Sequence, residues 1–388
     1  MRVLFSTTAG SGHFGPMVPV ARACRDAGHD VKVAAPESFA AAVAGAGFDH
    51  APFADVPPEV LGPIYGRLFQ MPQEEANRIV MAEIFGRLDS RAALPGLTDI
   101  MANWRPDVVV REFCEFGSLV AAAKAGIPQV EVAIGVAAAV AEALPVVAAP
   151  LAELDAIAGL PEGTALQALA SGPVLSSVPA EVDGEGVAGG ARVMRFRDDS
   201  LTAGSGSPPP PWGNQDHPLV YVTFGSVAAG LPPFAGLYRS VLDALAGEHI
   251  RVLMTTGRAL EPSSLAPWPA NARVEQWWPQ ATVLPHTDVV VGHGGFGTTM
   301  MALAAGVPQV VIPLFAADQF VNAERMAAIG AGVRLDEGPD AAPFLAQALA
   351  EVLGDPSCAA NARRVAAAMA ELPDVASSVS FMEELAGR

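Results

Sequence analysis

The sequence predicts an α/β protein with two Rossmann-like domains, each formed around a parallel sheet. Short apolar runs alternate with helical segments along the 388 residues, a pattern typical of parallel α/β layers. The chain is longer than one typical domain, and 51% of its residues are hydrophobic, which is enough for two cores. Residues 197–218 are rich in proline and have no apolar period, so they separate two series of elements.

The first series begins at the N-terminus. Gly28 and Gly126, the latter with Pro128 close behind, stop the helices that precede two of its strands. The predicted elements are a strand at 2–6, a helix at 15–27 and strands at 31–35, 107–110 and 129–133.

The second series follows the proline-rich segment. Its predicted elements are strands at 219–224, 251–255, 289–291 and 309–312, helices at 234–246 and 297–305, and a largely helical end at 359–385 interrupted at Pro373. We therefore expect an N-terminal domain over residues 1–200, a linker over 201–218, a C-terminal domain over 219–370 and a C-terminal helix over 371–388.

The composition excludes several classes of function. A formal net charge of -18 disfavours nucleic-acid and anionic-membrane partners, which repel an acidic protein. Cys24, Cys114 and Cys358 are far apart, so we expect a reducing compartment and neither a disulfide framework nor structural zinc. The start does not resemble a signal peptide, and prolines and acidic residues interrupt the apolar stretch 133–160. These features predict a cytoplasmic protein without membrane insertion.

A glycine-rich loop follows the first predicted strand. Gly10, Gly12 and Gly15 satisfy the pattern G-x-G-x-x-G, and Glu37 lies where a dinucleotide fold has its ribose-binding acid. An NAD-dependent oxidoreductase is therefore one interpretation, although Pro16 and His13 are unusual in such a loop. His13 lies at the carboxyl end of the sheet and is a candidate general base; the alternative is a packing or capping role at the helix start.

A second glycine-rich turn follows the strand at 289–291. A helix begins near Thr298, and its free N–H groups and dipole can receive a phosphate without any lysine. Gly294, Gly295 and Gly297 allow close backbone approach, and His293 adds a hydrogen-bond donor.

Two further pairs of residues flank this turn. One of Trp277 and Trp278 is expected to stack on a nucleobase while the other packs, with two core residues as the alternative. Asp318 and Gln319 follow a strand-like run and suit the vicinal hydroxyls of a sugar, with a turn or helix N-cap as the alternative.

Together these segments resemble the donor-binding signature of glycosyltransferase family 1, whose members have the GT-B fold and include bacterial natural-product glycosyltransferases. The resemblance covers about 45 contiguous positions and extends to the N-terminal loop and to the segment after the linker. The matching residues are Trp277-Trp278-Pro279-Gln280, His293 to Thr299, Gly306-Val307-Pro308, Asp318-Gln319 with Asn322, Gly10-x-Gly12-His13-x-x-Pro16 and Thr223-Phe224-Gly225-Ser226.

The resemblance implies two Rossmann-like domains facing across a cleft, with the C-terminal helix returning to the N-terminal domain. It also implies that His13 is the catalytic base and that the N-terminal domain binds the acceptor. Nucleobase and ribose contacts would come from Trp277, Trp278 and Gln280, phosphate contacts from Ser226, His293, Gly297 and Thr298, and contacts to the donor sugar from Asp318 and Gln319. Gly12 and Gly295 are also expected to bind the donor.

Two departures from the family pattern matter. Met301 stands where many members have a glutamate that binds the ribose diol, which fits a TDP donor without excluding UDP-sugars. The acid that orients the catalytic histidine is often an aspartate after a strand of the N-terminal domain, whereas here the strand is followed by Arg111-Glu112-Phe113-Cys114-Glu115. Glu112 is our first choice and Glu115 the second, while a solvated glutamate paired with Arg111 is the alternative.

The expected reaction is a metal-independent, inverting transfer of a sugar from a nucleoside diphosphate to a hydrophobic small molecule, without a cofactor. A nucleotide-sugar epimerase and a non-catalytic auxiliary protein remain alternatives beside the oxidoreductase. We expect a monomer or homodimer. Residues 55–90 and 135–180 are apolar and loop-interrupted, and candidates for acceptor contact, with core packing as the equal alternative, are Phe14, Phe69, Met81, Phe85 and Phe113.

Overall fold

The computed structural model of the chain, which describes residues 1–184, 191–204 and 206–387, divides into two compact units. The first comprises Met1–Val178, Asp183–Asp198 and Leu372–Arg388, and the second comprises Pro179–Val182 and Asp199–Glu371. Each unit is an α/β fold around a parallel sheet, as the sequence predicts.

The strands of the described residues all pair in parallel. In the first unit they are β1 (Arg2–Ser6), β2 (Asp30–Pro36), β3 (Asp49–Phe53), β4 (Val108–Glu112), β5 (Gln129–Val132), β6 (Val174–Ser176) and β7 (Val193–Arg195). In the second unit they are β8 (Leu219–Thr223), β9 (Arg251–Thr255), β10 (Ala272–Glu275), β11 (Val289–Gly292), β12 (Gln309–Val311) and β13 (Gly332–Arg334).

The helices connect these strands. In chain order they are α1 (Ser11–Phe14), α2 (Val18–Asp26), α3 (Ala40–Gly45), α4 (Pro58–Leu68), α5 (Gln73–Ile79), a π-helix (Val80–Asp89), α6 (Ser90–Trp104), α7 (Phe116–Ala125), α8 (Ala137–Ala158), α9 (Thr164–Ser171), α10 (Ala180–Asp183), α11 (Ala235–Ala244), α12 (Gln280–Val283), α13 (Phe296–Ala304), α14 (Ala317–Ala328), α15 (Ala342–Gly354), α16 (Pro356–Ala370) and α17 (Ser377–Leu385).

The order of strands in the first sheet is β3-β2-β1-β4-β5-β6-β7. β1 pairs with β2 on one side and with β4 on the other, so the direction of winding reverses between β1 and β4. In such folds ligands bind at the carboxyl ends of the strands at this reversal. The loops after β1 and β4 therefore form the expected binding edge of this unit.

The second sheet follows the same plan, with the order β10-β9-β8-β11-β12-β13. Its reversal lies between β8 and β11, whose residues Val289 to Gly292 pair with Val220 to Thr223. Residues of the predicted linker pack on this unit, since the guanidinium groups of Arg251 and Arg273 lie over the ring of Trp212.

The segments 55–90 and 135–180 are interrupted between helices, at 69–72 and 159–163, but the predicted interruption of the apolar stretch 133–160 by its prolines is not observed. Residues 58–104 are largely helical, and α8 is one continuous helix of 22 residues that contains Pro145 and Pro150. Pro150 is buried, and the side of its ring fits against Gly86 of the π-helix, so packing stabilises a helix that the proline pattern disfavours. Among the described residues, α8 is the helix long and apolar enough to cross a membrane by length and composition. In this unit its Val147, Leu151 and Leu154 lie in the core.

The C-terminal helix returns to the first unit, as the resemblance implies. α17 packs on α2, and its Phe381 and Met382 are part of the core of this unit. Polar contacts add to this packing, because Glu383 lies 3.3 Å from Nε2 of His29 and Glu384 pairs with Arg192 at 3.0 Å.

Candidate active site

In the first unit, a histidine and a glutamate meet at the carboxyl edge of the sheet. His13 lies on α1, in the loop after β1, and Glu112 is the last residue of β4. Nδ1 of His13 lies 3.3 Å from Oε1 of Glu112. The His13 side chain is partly exposed while that of Glu112 is fully buried. This is the arrangement of an imidazole oriented by a carboxylate, in which the other ring nitrogen can take a proton.

The Glu112 carboxylate is held by the backbone around it. Oε1 accepts hydrogen bonds from N and Oγ1 of Thr8, at 3.1 and 3.0 Å, and Oε2 accepts one from N of Cys114 at 2.6 Å. Burial opposes ionisation of Glu112, but the charge of His13 and these hydrogen bonds together lower its pKa. Glu112 is therefore an ionised partner for His13.

The neighbouring acidic residues have other roles. Glu115 accepts hydrogen bonds from Oγ of Ser6 and from N of Ser118, at 2.8 and 3.0 Å, and caps α7. Arg111 forms a buried ion pair with Glu131 at 3.0 Å. The solvated Glu112–Arg111 pair that the sequence left open is thus not present.

The candidate acceptor residues divide into two groups. The ring of Phe85 on the π-helix is tilted against the ring of His13, with the centroids 5.4 Å apart, and Phe69 is 43% exposed. Met81 is half-buried. Phe14 and Phe113, however, are buried and pack edge-on against Phe39 and Phe116. Their placement supports the core alternative, because neither ring presents a surface to a ligand.

His13, Glu112 and Cys114 are also the group among the described residues that could hold a metal ion, since their ligand atoms lie within 4.8 Å of one another. A histidine, a carboxylate and a thiol suit zinc. Both carboxylate oxygens already accept hydrogen bonds from the backbone, however, so this geometry favours orientation of the imidazole.

In the second unit, a half-buried histidine, His293, occupies the glycine-rich turn after β11. Burial lowers the pKa of His293 to about 4, so the ring is neutral near pH 7. Its Nδ1 is buried and has no hydrogen-bond partner among the described residues. Gly225 and Gly295 enclose the other edge of the ring, since a Cβ on Gly225 would lie 2.7 Å from Cε1 and one on Gly295 2.5 Å from Nε2. The turn thus fits an imidazole that donates a hydrogen bond.

The helix start beside His293 is open. Gly295 is the N-cap of α13, Gly297 is exposed, and Nε2 of Gln280 donates to Oγ1 of Thr298 at 3.2 Å. Ser226, in the loop after β8, is also exposed. Gly12, in the first unit, is exposed and its Cα faces open space. These residues are accessible, and their contacts with donor stay a prediction.

The two adjacent tryptophans differ in exposure. Trp277 is 68% exposed, whereas Trp278 is half-buried, donates from Nε1 to the carbonyl of Ser207 at 3.3 Å and packs against the core. Arg273 lies over the ring of Trp278. Trp277 is therefore the ring available for stacking.

The candidate sugar-binding residues begin α14. Asp318 is half-buried in the first turn of this helix. Gln319 is buried, and its Oε1 accepts hydrogen bonds from N of Leu314 and of Phe315, at 2.9 and 3.1 Å. The carboxamide oxygen of Gln319 thus supports the backbone, which leaves its NH2 group for any ligand.

Two residues that the sequence did not single out border the first site: Thr8, which donates hydrogen bonds to Glu112, and Asp89, at the end of the helix that carries Phe85. Gly225, which is part of the family resemblance, has a φ of +75°, which favours glycine. Its contact with His293 spans 68 positions, so the motif alone does not reveal that contact. Met301, half-buried on α13, packs against the core that includes Val290.

The chain matches known proteins over its whole length. Residues 239–385 match the C-terminal domain of the erythromycin biosynthesis protein CIII-like family. L-demethylnoviosyl transferase of Streptomyces niveus is 32% identical, over 96% of this chain and 95% of that protein. TDP-daunosamine transferase DnrS of Streptomyces peucetius is 30% identical, over 100% and 97%.

A solved structure shares the fold. The glycosyltransferase SsfS6 of Streptomyces sp. SF2575, complexed with thymidine diphosphate, superposes with a TM-score of 0.74 at 27% identity and covers 99% of both chains.

Proposed function

Because the chain belongs to the bacterial natural-product glycosyltransferases of family 1, which have the GT-B fold, we propose that it transfers a sugar from a TDP- or UDP-sugar to a hydrophobic small molecule. The observation that carries the proposal is the pair of His13 and Glu112 at the reversal of the first sheet. The alternative activities, an oxidoreductase or an epimerase, do not account for both the His13–Glu112 pair and the similarity to transferases.

His13 is the base of the proposed reaction. Glu112 occupies Nδ1, so Nε2 takes the proton of the acceptor hydroxyl. The acceptor oxygen then attacks the anomeric carbon from the face opposite the leaving group, which inverts the configuration. The bond from that carbon to the phosphate oxygen breaks, and TDP or UDP leaves with the electron pair.

The donor diphosphate is proposed to bind without a metal ion. The support is the open start of α13, whose N–H groups and dipole favour an anion, and the neutral His293 as hydrogen-bond donor. Trp277 would stack on the nucleobase, and Asp318 would accept hydrogen bonds from the sugar.

We propose TDP as the preferred nucleotide. Met301 offers no carboxylate for a ribose 2′-hydroxyl, so binding UDP would leave that hydroxyl without a protein acceptor at this position. The relative DnrS is named for a TDP-sugar, and SsfS6 has been crystallised with thymidine diphosphate. Tighter binding of UDP than of TDP in a calorimetric titration would contradict this choice.

The decisive experiment is a mass-spectrometric screen of TDP- and UDP-sugars against aromatic acceptors. We expect a product with the mass of acceptor plus sugar from the wild-type protein. The His13→Ala variant should form no product and bind TDP as the wild type does. Turnover by this variant at the wild-type rate would show that His13 is not the base. Binding of NADH without any sugar transfer would favour the oxidoreductase interpretation instead.

A further inference from the structure

Asp89 is the last residue of the π-helix whose Phe85 contacts the candidate base, His13. Phe85 lies about one turn earlier on this helix. The next residue, Gly86, packs closely on α8, where an added Cβ would lie 2.8 Å from Cβ of Pro150. π-helical segments are frequently found at functional sites. This one holds an aromatic ring and a carboxylate near His13.

The Asp89 carboxylate has no hydrogen-bond or ion-pair partner among the described residues. Two cations are close in sequence, but both are engaged elsewhere. Arg87 pairs with Glu83 and Glu153, at 2.5 and 2.7 Å, and Arg91 pairs with Glu153 at 2.6 Å. Asp89 is half-buried, so its oxygens have lost part of their water without gaining a protein donor.

The charges that face Asp89 are mostly negative. Burial and the negative charge of Glu115 raise the pKa of Asp89 to about 6, with smaller contributions from Glu112 and Asp55 in the same direction and from His13 in the opposite one. Leaving this carboxylate unpaired therefore costs free energy in the unliganded protein. A ligand that supplies a hydrogen-bond donor would recover it.

We propose that Asp89 is a specificity-determining residue that accepts a hydrogen bond from a second hydroxyl of the acceptor, next to the hydroxyl that His13 deprotonates. The surrounding side chains are apolar rings, with Phe85 on one side and the exposed ring of Tyr65 on α4, whose hydroxyl senses the charge of Asp89. A flat aromatic molecule with two adjacent hydroxyls matches these groups. This inference rests on the proposed function, since it assumes that acceptors bind at His13.

The test compares two probes that differ in one hydroxyl, 2-naphthol and 2,3-dihydroxynaphthalene. Dissociation constants are measured by naphthalene fluorescence with TDP at saturation, for the wild type and for Asp89→Leu and Asp89→Asn. We expect the wild type to prefer the diol by about tenfold, which is typical of a hydrogen bond to a charged group. The preference should fall to about one in Asp89→Leu and be smaller than wild type in Asp89→Asn.

Glu83→Gln is the matched control, because Glu83 is an exposed carboxylate on the same helix. It should keep the wild-type preference. Asp89→Asn is isosteric and keeps the test valid if the leucine variant does not fold. Equal affinity of the wild type for both probes, binding of neither probe, or a tenfold preference that persists in both Asp89 variants would overturn the inference. None of these results affects the proposed function, which fails instead if no sugar transfer and no TDP binding are found.

Discussion

Replacing Gly225 with alanine should weaken donor binding through His293. Gly225 follows β8 with a φ of +75°, and an added Cβ would lie 2.7 Å from Cε1 and 2.8 Å from Nε2 of His293. Carbon atoms pack at about 3.5–4.0 Å, so the ring must move by about 1 Å. Gly295 borders the same edge of the ring, which leaves little room for adjustment.

The size of the effect follows from two contributions. Alanine at a left-handed φ costs roughly 1–2 kcal/mol, which lowers the stability of the loop. A displaced His293 also loses its hydrogen bond to the phosphate, and hydrogen bonds to charged groups are worth about 1.5–3 kcal/mol. We therefore expect the dissociation constant for TDP to rise by about 10- to 150-fold.

The assay is calorimetric titration with TDP, with Gly236→Ala as the control. A Cβ on Gly236 meets open space, so this variant should bind TDP as the wild type does. A double-mutant cycle identifies the route. Once His293 is replaced by alanine, the added methyl group meets no ring, and Gly225→Ala should cost little further affinity. An unchanged dissociation constant in the single variant, or an equal loss without His293, would refute the reasoning.

Three further predictions concern other parts of the sites. Glu112→Gln should lower turnover by about 10²- to 10⁴-fold. The glutamine carries no charge, and its NH2 group would face the backbone N–H group of Thr8 or of Cys114. TDP binding, measured by calorimetry, should be unchanged. Trp277→Ala should weaken TDP binding by about 1–3 kcal/mol, without lowering the melting temperature. Asp89→Asn should stabilise the protein by about 1–2 kcal/mol at pH 7. The folded-state pKa of Asp89 is raised to about 6, so the wild type loses stability as the pH rises from about 4 to 6, and thermal unfolding of both proteins at pH 4 should show no difference.

The fold could be predicted from the sequence where strands are continuous and buried. β1, β4 and β11 are runs of valine, leucine and phenylalanine with little exposure, and the strand pattern finds them. β6 and β13 have three residues each and depend on their neighbours in the sheet, so their own sequence carries too little signal. The prediction for α8 was wrong for a different reason: its own sequence disfavours a continuous helix, but packing of Pro150 against Gly86 stabilises it.

The positions of the site residues could be predicted where a polar side chain lies at the end of a strand or in the loop after it, as do His13, Glu112 and His293. Residues whose role depends on distant contacts were missed or misassigned. Phe113 follows β4 directly but turns into the core against Phe116, and the sequence pattern cannot distinguish this direction from the opposite one. Asp89 was missed because Arg87 and Arg91 are close to it in sequence and suggest an ordinary surface ion pair. In the structure both arginines pair with Glu153 instead.

The two histidines show how environment sets the role of one side chain. Each lies at the carboxyl edge of a parallel sheet, at the reversal of strand order. His13 has a buried, ionised carboxylate at Nδ1, which favours the imidazolium and so suits proton abstraction. His293 has glycines at one edge and a buried Nδ1 without any partner among the described residues, and burial alone keeps it neutral. A neutral ring cannot attract a diphosphate by charge, but it donates a hydrogen bond without repelling the helix dipole beside it. In an acidic protein with a net charge of -18, the donor site then depends on directed N–H groups. A lysine in place of His293 would not reproduce the directed hydrogen bond of the ring, because its ammonium group is a flexible point charge.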